Sequence, residues 1–117
     1  MSCRSDRIIH VIGAAMPNKK EYKTVVAVIH ALPQYDDEVE KGLSDLAIQV
    51  RAEPGNVTFM PYRNVSESHS YIVYEIYQNE TAFLQHVNAH YTRAFNKMLE
   101  TAAKGGKSQV LEVSDIL

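Results

Sequence analysis

Residues 71–77 read Tyr-Ile-Val-Tyr-Glu-Ile-Tyr, and this stretch decides the fold. Every residue in it except Glu75 is aromatic or β-branched, the types that suit a pleated, half-buried surface. In a strand successive side chains point to opposite faces. Tyr71, Val73, Glu75 and Tyr77 therefore share one face, and Ile72, Tyr74 and Ile76 share the other. Glu75 lies among apolar neighbours, and a buried carboxylate needs partners.

Upstream of this strand, residues 64–70 are polar and read as a loop. Before the loop, Val57 to Arg63 reads as a second strand. Pro61 lies inside it and cannot donate a ladder hydrogen bond, so this strand belongs at a sheet edge or carries a bulge. Further back, Glu53-Pro54-Gly55 ends a helix, because proline disfavours helix in the residue before it and glycine accepts the turn. Val39, Leu43, Leu46, Ala47 and Val50 form one face of that helix, and Asp37 with Glu40 suits a capping arrangement at its start. Thr24 to Ala31, bounded by Pro33, is a short β-branched run that predicts a buried strand.

Downstream, Asn79 is a candidate cap for a second helix. Its apolar stripe is Phe83, Val87, Tyr91, Ala94, Phe95, Met98 and Ala102, with Asn88 a candidate cap for a second segment and a break expected near there. Gly105-Gly106 ends it, and Gln109 to Val113 is the last strand. The order is β-α-β-β-α-β, the ferredoxin-like, split βαβ arrangement of the α+β class. It predicts a four-stranded antiparallel sheet, ordered 4-1-3-2, with both helices on one face. The second strand is then an edge strand, where Pro61 is allowed. The alternate residues of these strands are also largely apolar. An uncovered apolar face of that extent marks an interface, so the sequence predicts a symmetric homodimer through the open sheet face.

At 117 residues the chain has room for one domain, expected over 22–117, with residues 1–21 as an N-terminal extension or arm. Apolar residues make up 45% and charged residues 22%, which is the balance of an ordinary globular protein. A net charge of −2 supplies no basic field for a polyanion, so no nucleic acid partner is expected. The single cysteine, Cys3, rules out an internal disulfide and fits a reducing compartment. No apolar run approaches the roughly 18 residues of a membrane helix. The short run Ile8 to Met16 is interrupted by His10, and no run of the usual length leads to a small-residue cleavage site, so a cytoplasmic location is expected, with no membrane partner.

Ala52-Glu53-Pro54-Gly55, then Tyr74-Glu75-Ile76-Tyr77, then Phe83-Leu84-x-His86-x-x-x-His90-Tyr91 resembles the antibiotic biosynthesis monooxygenase family over about residues 23–115. The resemblance implies a dimeric α+β barrel, two sheets packed face to face, with a small-molecule pocket between sheet and helices. It implies oxygenation of quinols or polycyclic phenols without flavin, haem or metal in several members. Other members are related only in fold. The chain departs from the family pattern at Asn56, at Phe59 where tyrosine is usual, and at Tyr77 where tryptophan is usual. It has no tryptophan at all.

His86 and His90 are four apart, so on a continuous helix they share a side. Histidine is a base near neutral pH, which suits removal of a phenolic proton. His90, closer to the apolar stripe, is the preferred catalytic residue and His86 the second. The competing reading is a histidine that only ties the helix to Glu75. Candidate substrate-binding residues are Asn56, Tyr62, Tyr74, Glu75, Tyr77 and Arg63. The tyrosines equally suit core or interface positions, Asn56 a turn, and Arg63 a solvated edge. His86, His90 and Glu75 would also make a two-histidine, one-carboxylate metal set, but nothing marks a further ligand and no metal or other cofactor is expected. The expected activity is cofactor-independent monooxygenation of a quinol, polyphenol or anthrone-like molecule by dioxygen. The alternative is a dimeric small-molecule-binding or isomerase protein of the same fold.

Overall fold

The structure, a computed structural model, describes residues 21–117. The expected arm, apart from Glu21, lies outside the described residues, as does Cys3. The elements are β1 (Lys23–His30), α1 (Asp36–Arg51), β2 (Asn56–Arg63), β3 (Ser70–Tyr77), α2 (Glu80–Asn88), α3 (His90–Ala102) and β4 (Gln109–Val113). The strands form one antiparallel sheet in the order β2-β3-β1-β4, the order expected of the ferredoxin-like arrangement. Pro61 lies on the edge strand, paired in regular register with Val73. The one register shift of that strand falls between Asn56 and Thr58 instead.

The core lies between the sheet and the helices. Val25, Ala27 and Ile29 of β1 and Tyr71, Val73 and Tyr77 of β3 point into it. Val39, Leu43, Leu46, Ala47 and Val50 of α1 meet them, the five positions that the periodicity of this helix marks. Each fully buried Val or Leu contributes about 1.5–3 kcal/mol.

Two helix starts differ from expectation. α1 begins at Asp36, after a 3₁₀ turn over Pro33–Tyr35, and no side chain caps it. Proline at the head of that turn sets a helical φ early, so Asp37 falls inside the first turn, where its charge favours the positive end of the helix. The second helix breaks at Ala89, whose ψ of 146° is extended, and α3 starts without a side-chain cap. Asn88 does not cap α3, because its amide donates to the Leu84 carbonyl at 2.9 Å and so closes α2. Asn79 caps α2 as expected, accepting from the Ala82 N–H at 2.8 Å.

The inward face of α3 is wider than the expected stripe. Thr92, Leu99 and Ala102 are the buried residues of α3, with Tyr91, Phe95 and Met98 half-buried against the core. Leu99 lies outside the expected stripe yet is fully buried, while Ala94 and Val87 are exposed. A single stripe of i, i+3 and i+4 positions is narrower than the face this helix buries.

Gly55 is demanded by a close approach. A Cβ on it would lie 2.4 Å from the Ala82 Cβ, so the turn after α1 must be bare for the start of α2 to dock on it. This packing brings the end of α1 to the helices that follow β3.

Candidate functional site

Five polar side chains from four parts of the chain converge in the layer between sheet and helices. Glu75 comes from the middle of β3, on the face turned to the helices, flanked by Val25 of β1 and Phe59 of β2. Tyr77 stands two residues further along the same face. Glu53 comes from the turn that Gly55 makes possible. His86 comes from the last turn of α2, and Tyr91 from the first turn of α3.

They form a chain of contacts. Tyr91 donates to Glu53 Oε2 at 2.6 Å, and the same oxygen lies 3.0 Å from His86 Nδ1. His86 Nε2 is 3.7 Å from Glu75 Oε1, too long for a hydrogen bond. Tyr77 donates to Glu75 Oε1 at 2.7 Å. A carboxylate at Nδ1 makes that nitrogen the N–H donor and leaves Nε2 as the acceptor facing Glu75. The His86 ring is set by the Tyr77 ring at 4.9 Å and the Phe59 ring at 6.1 Å.

Burial governs the protonation of this cluster. It pushes the Glu75 carboxyl up to about 7; the Tyr77 hydrogen bond opposes that shift and the charge of Glu53 adds to it. Burial also raises Tyr77 far above the ordinary phenol value, with Glu75 adding to the rise. Tyr91 is pushed up to about 12 by burial and by its bond to Glu53. Both tyrosines are therefore neutral donors at physiological pH, and Glu75 is poised to gain or lose a proton there.

Glu75 and His86 line a cavity of about 100 Å³. Most of its wall is apolar, including Ile29, Phe59, Val73 and Phe83, and Thr92, Asn96 and Ser108 add polar groups. Glu75 and His86 are buried, whereas Val87 and Val110 on the same wall are exposed. The carboxylate–histidine pair thus lies at the closed end, and the mouth opens between the α2–α3 break and β4.

Of the residues singled out in the sequence, only Glu75 and His86 line this cavity. His86 and His90 do not share one side of a continuous helix, because extended Ala89 separates them. His90 is exposed, edge-on to the Tyr91 ring, beside a surface groove with Gly42, Asp45 and Met98. Tyr77 supports the site through Glu75. Tyr62 and Tyr74 are exposed on the open sheet face. Asn56 donates to the Thr58 carbonyl at 3.0 Å within the irregular stretch of β2. Arg63 lies at the other end of the sheet, paired with Glu40 at 2.5 Å and with Asp36 at 3.5 Å. Among the described residues, no three His, Cys, Asp or Glu side chains are grouped so as to hold a metal ion.

Glu53, Tyr91 and Thr92 join the site without having been singled out for it. Glu53 was legible as a turn residue and Tyr91 as part of a helix stripe. The only local hint was that both belong to the motifs Glu53-Pro54-Gly55 and His90-Tyr91.

The layered α+β fold and this partly apolar cavity define a class of small-molecule-binding proteins with the ferredoxin-like topology. Within that class the chain belongs to the antibiotic biosynthesis monooxygenase family, whose sequence profile matches residues 24–98. The function that goes with this membership is, in general terms, monooxygenase-like. Among solved structures, a protein of Pseudomonas aeruginosa superposes with a TM-score of 0.77 at 20% identity, covering 86% of this chain and 99% of its own. A protein of Caulobacter crescentus that carries the family name superposes with a TM-score of 0.75 at 26% identity, covering 83% and 92%. Another so named, from Bacteroides thetaiotaomicron, gives a TM-score of 0.76 at 14% identity, covering 86% and 94%. No curated protein shows a significant sequence match. No helix among the described residues is long and apolar enough to cross a membrane.

Proposed function

We propose that this protein oxygenates an electron-rich phenol, a quinol or an anthrone-like molecule, with dioxygen as oxidant and His86 as base. One observation carries the reading: a histidine held by one carboxylate and facing a second lies at the closed end of a mostly apolar cavity. The substrate O–H is presented to His86 Nε2, which takes the proton. The imidazolium then lies between Glu53 and Glu75, so the developing charge is stabilised from both sides. The phenolate passes one electron to dioxygen, and the phenoxyl radical and superoxide combine into a peroxide at a ring carbon. The imidazolium returns its proton to the peroxide, and loss of water leaves a quinone. One ring C–H has become C=O, and the substrate has supplied the electrons. The protein contributes a dry wall, orientation and a base.

Arg63 bears on the alternative, a binding or isomerising protein. An arginine turned into the cavity would suit an anionic substrate, but Arg63 is committed to Asp36 and Glu40 elsewhere. The apolar wall favours the oxygenase. The same reading includes a homodimer through the open sheet face, where Met60, Tyr62, Tyr74, Leu111 and Val113 are exposed.

Oxygen uptake by metal-stripped protein over a panel of quinols and anthrones tests the chemistry. His86→Ala is expected to lower the rate by roughly 10²–10⁴-fold, the usual contribution of a general base. His90→Ala is expected to stay within about twofold of the wild type, as suits a surface substitution away from the cavity. Undiminished uptake by His86→Ala would remove this residue as the base.

A further inference from the structure

Thr92 is the third residue of α3 (His90–Ala102). A threonine inside a helix commonly gives its hydroxyl to the carbonyl three or four residues back. Four back from Thr92 is Asn88, which belongs to α2, on the far side of extended Ala89. Three back is Ala89 itself, whose carbonyl accepts the Arg93 N–H at 3.0 Å. The hydroxyl of Thr92 has no hydrogen-bond partner among the described residues, although the residue is only 6% exposed. The same side chain lines the cavity that Glu75 and His86 close.

A buried hydroxyl left without a partner is costly, so a group that meets it inside the cavity gains from doing so. The cavity also limits what can bring that group. Its volume is about 100 Å³, and a cavity of roughly 150 Å³ takes one benzene ring. The closed end is smaller than that, so a single ring already fills it and extends towards exposed Val87 and Val110. Asn96, four residues on from Thr92 and on the same side of α3, continues the polar wall towards the mouth.

We propose that Thr92 is a specificity-determining residue, whose hydroxyl hydrogen-bonds a second polar group on a single-ring phenol. The first oxygen of that ligand meets His86 and Glu75. This assignment rests on the cavity being the substrate site, as in the proposed function. The preference comes from a buried hydroxyl that finds no partner within the described residues.

The test is a cycle of two protein variants against matched ligands. Dissociation constants are measured by calorimetry for 1,3- and 1,4-benzenediol and for the corresponding methylphenols, in which methyl replaces one hydroxyl. Wild-type protein is expected to prefer at least one diol over its methyl partner by roughly fivefold, the value of one net hydrogen bond. Thr92→Val should remove that preference, and Thr92→Ser should keep it. Melting temperature checks folding, and Thr92→Val should melt no lower than wild type because it removes an unpaired hydroxyl.

An unchanged diol preference in Thr92→Val overturns the assignment. So does equal loss of both ligands, or wild-type protein that binds neither at millimolar concentration. A cycle that behaves as expected in a protein without oxygen uptake supports Thr92 while removing the oxygenase. Uptake with an unaltered preference removes Thr92 alone.

Discussion

Glu75 holds its proton to about pH 7 in the folded chain, against an ordinary value of 4.5. Between those two values the folded protein keeps a proton that the unfolded chain has released. Stability therefore falls as pH rises through that window and levels off above it. Glu75→Gln removes the ionisable group but keeps an oxygen for the Tyr77 hydroxyl. It is expected to stabilise the protein above pH 7 by on the order of 3 kcal/mol and to flatten the slope. Urea unfolding at pH 5 and pH 8 measures both, and a variant with the wild-type slope would refute the assignment. Glu75 was visible in the sequence because a charge inside an apolar strand stands out. Glu53 was not, because His86 and Tyr91 lie 33 and 38 residues away from it.

α2 is nine residues long, and a single residue separates it from α3. So short a helix has little stability of its own and depends on its cap and its docking. Asn79→Ala deletes the bond to the Ala82 N–H and is expected to cost about 1 kcal/mol. Because α2 carries His86, the cost should appear as faster amide exchange over residues 82–88 before global unfolding. Protection unchanged across that helix would count against the cap as its anchor. Gly55→Ala acts on the same packing from the other side, since its methyl would meet the Ala82 methyl at 2.4 Å. It is expected to lower stability by roughly 1–3 kcal/mol, as overpacking does, read by thermal melting; an unshifted melt would show that α2 yields at no cost. Of the stripe expected for this region, Tyr91, Phe95, Met98 and Ala102 still pack inward beyond the break, whereas Val87 and Ala94 are exposed. The buried residues of α3 also include Thr92 and Leu99, which that stripe omits.

At the scale of the molecule, the sheet is covered by helices on one face alone. The other face carries exposed Met60, Tyr62 and Tyr74 from β2 and β3 and Leu111 and Val113 from β4. In the proposed homodimer two such faces meet. Tyr74→Lys combined with Leu111→Glu places charges at the centre and flank of that surface. The pair is expected to shift the protein from dimer to monomer in sedimentation while leaving the far-ultraviolet spectrum largely unchanged. A monomeric wild type at micromolar concentration would remove the proposal.

The sequence by itself determined the element order, the sheet order and the cores of the strands and of α1. These follow from local signals, namely alternation along a strand, periodicity along a helix, and the backbone limits of Pro54, Gly55 and Pro61. It also marked Glu75 as the carboxylate to explain. Only the tertiary structure decided which histidine meets that carboxylate. The choice depends on one extended residue, Ala89, which turns His86 inward and leaves His90 outside. Asn88 hinted at a break, but a sequence does not reveal the angle at which a chain resumes after one. The meeting of Glu53, His86, Glu75 and Tyr91 is set by how α1, β3, α2 and α3 pack, and contacts across such separations leave no periodic trace along the chain.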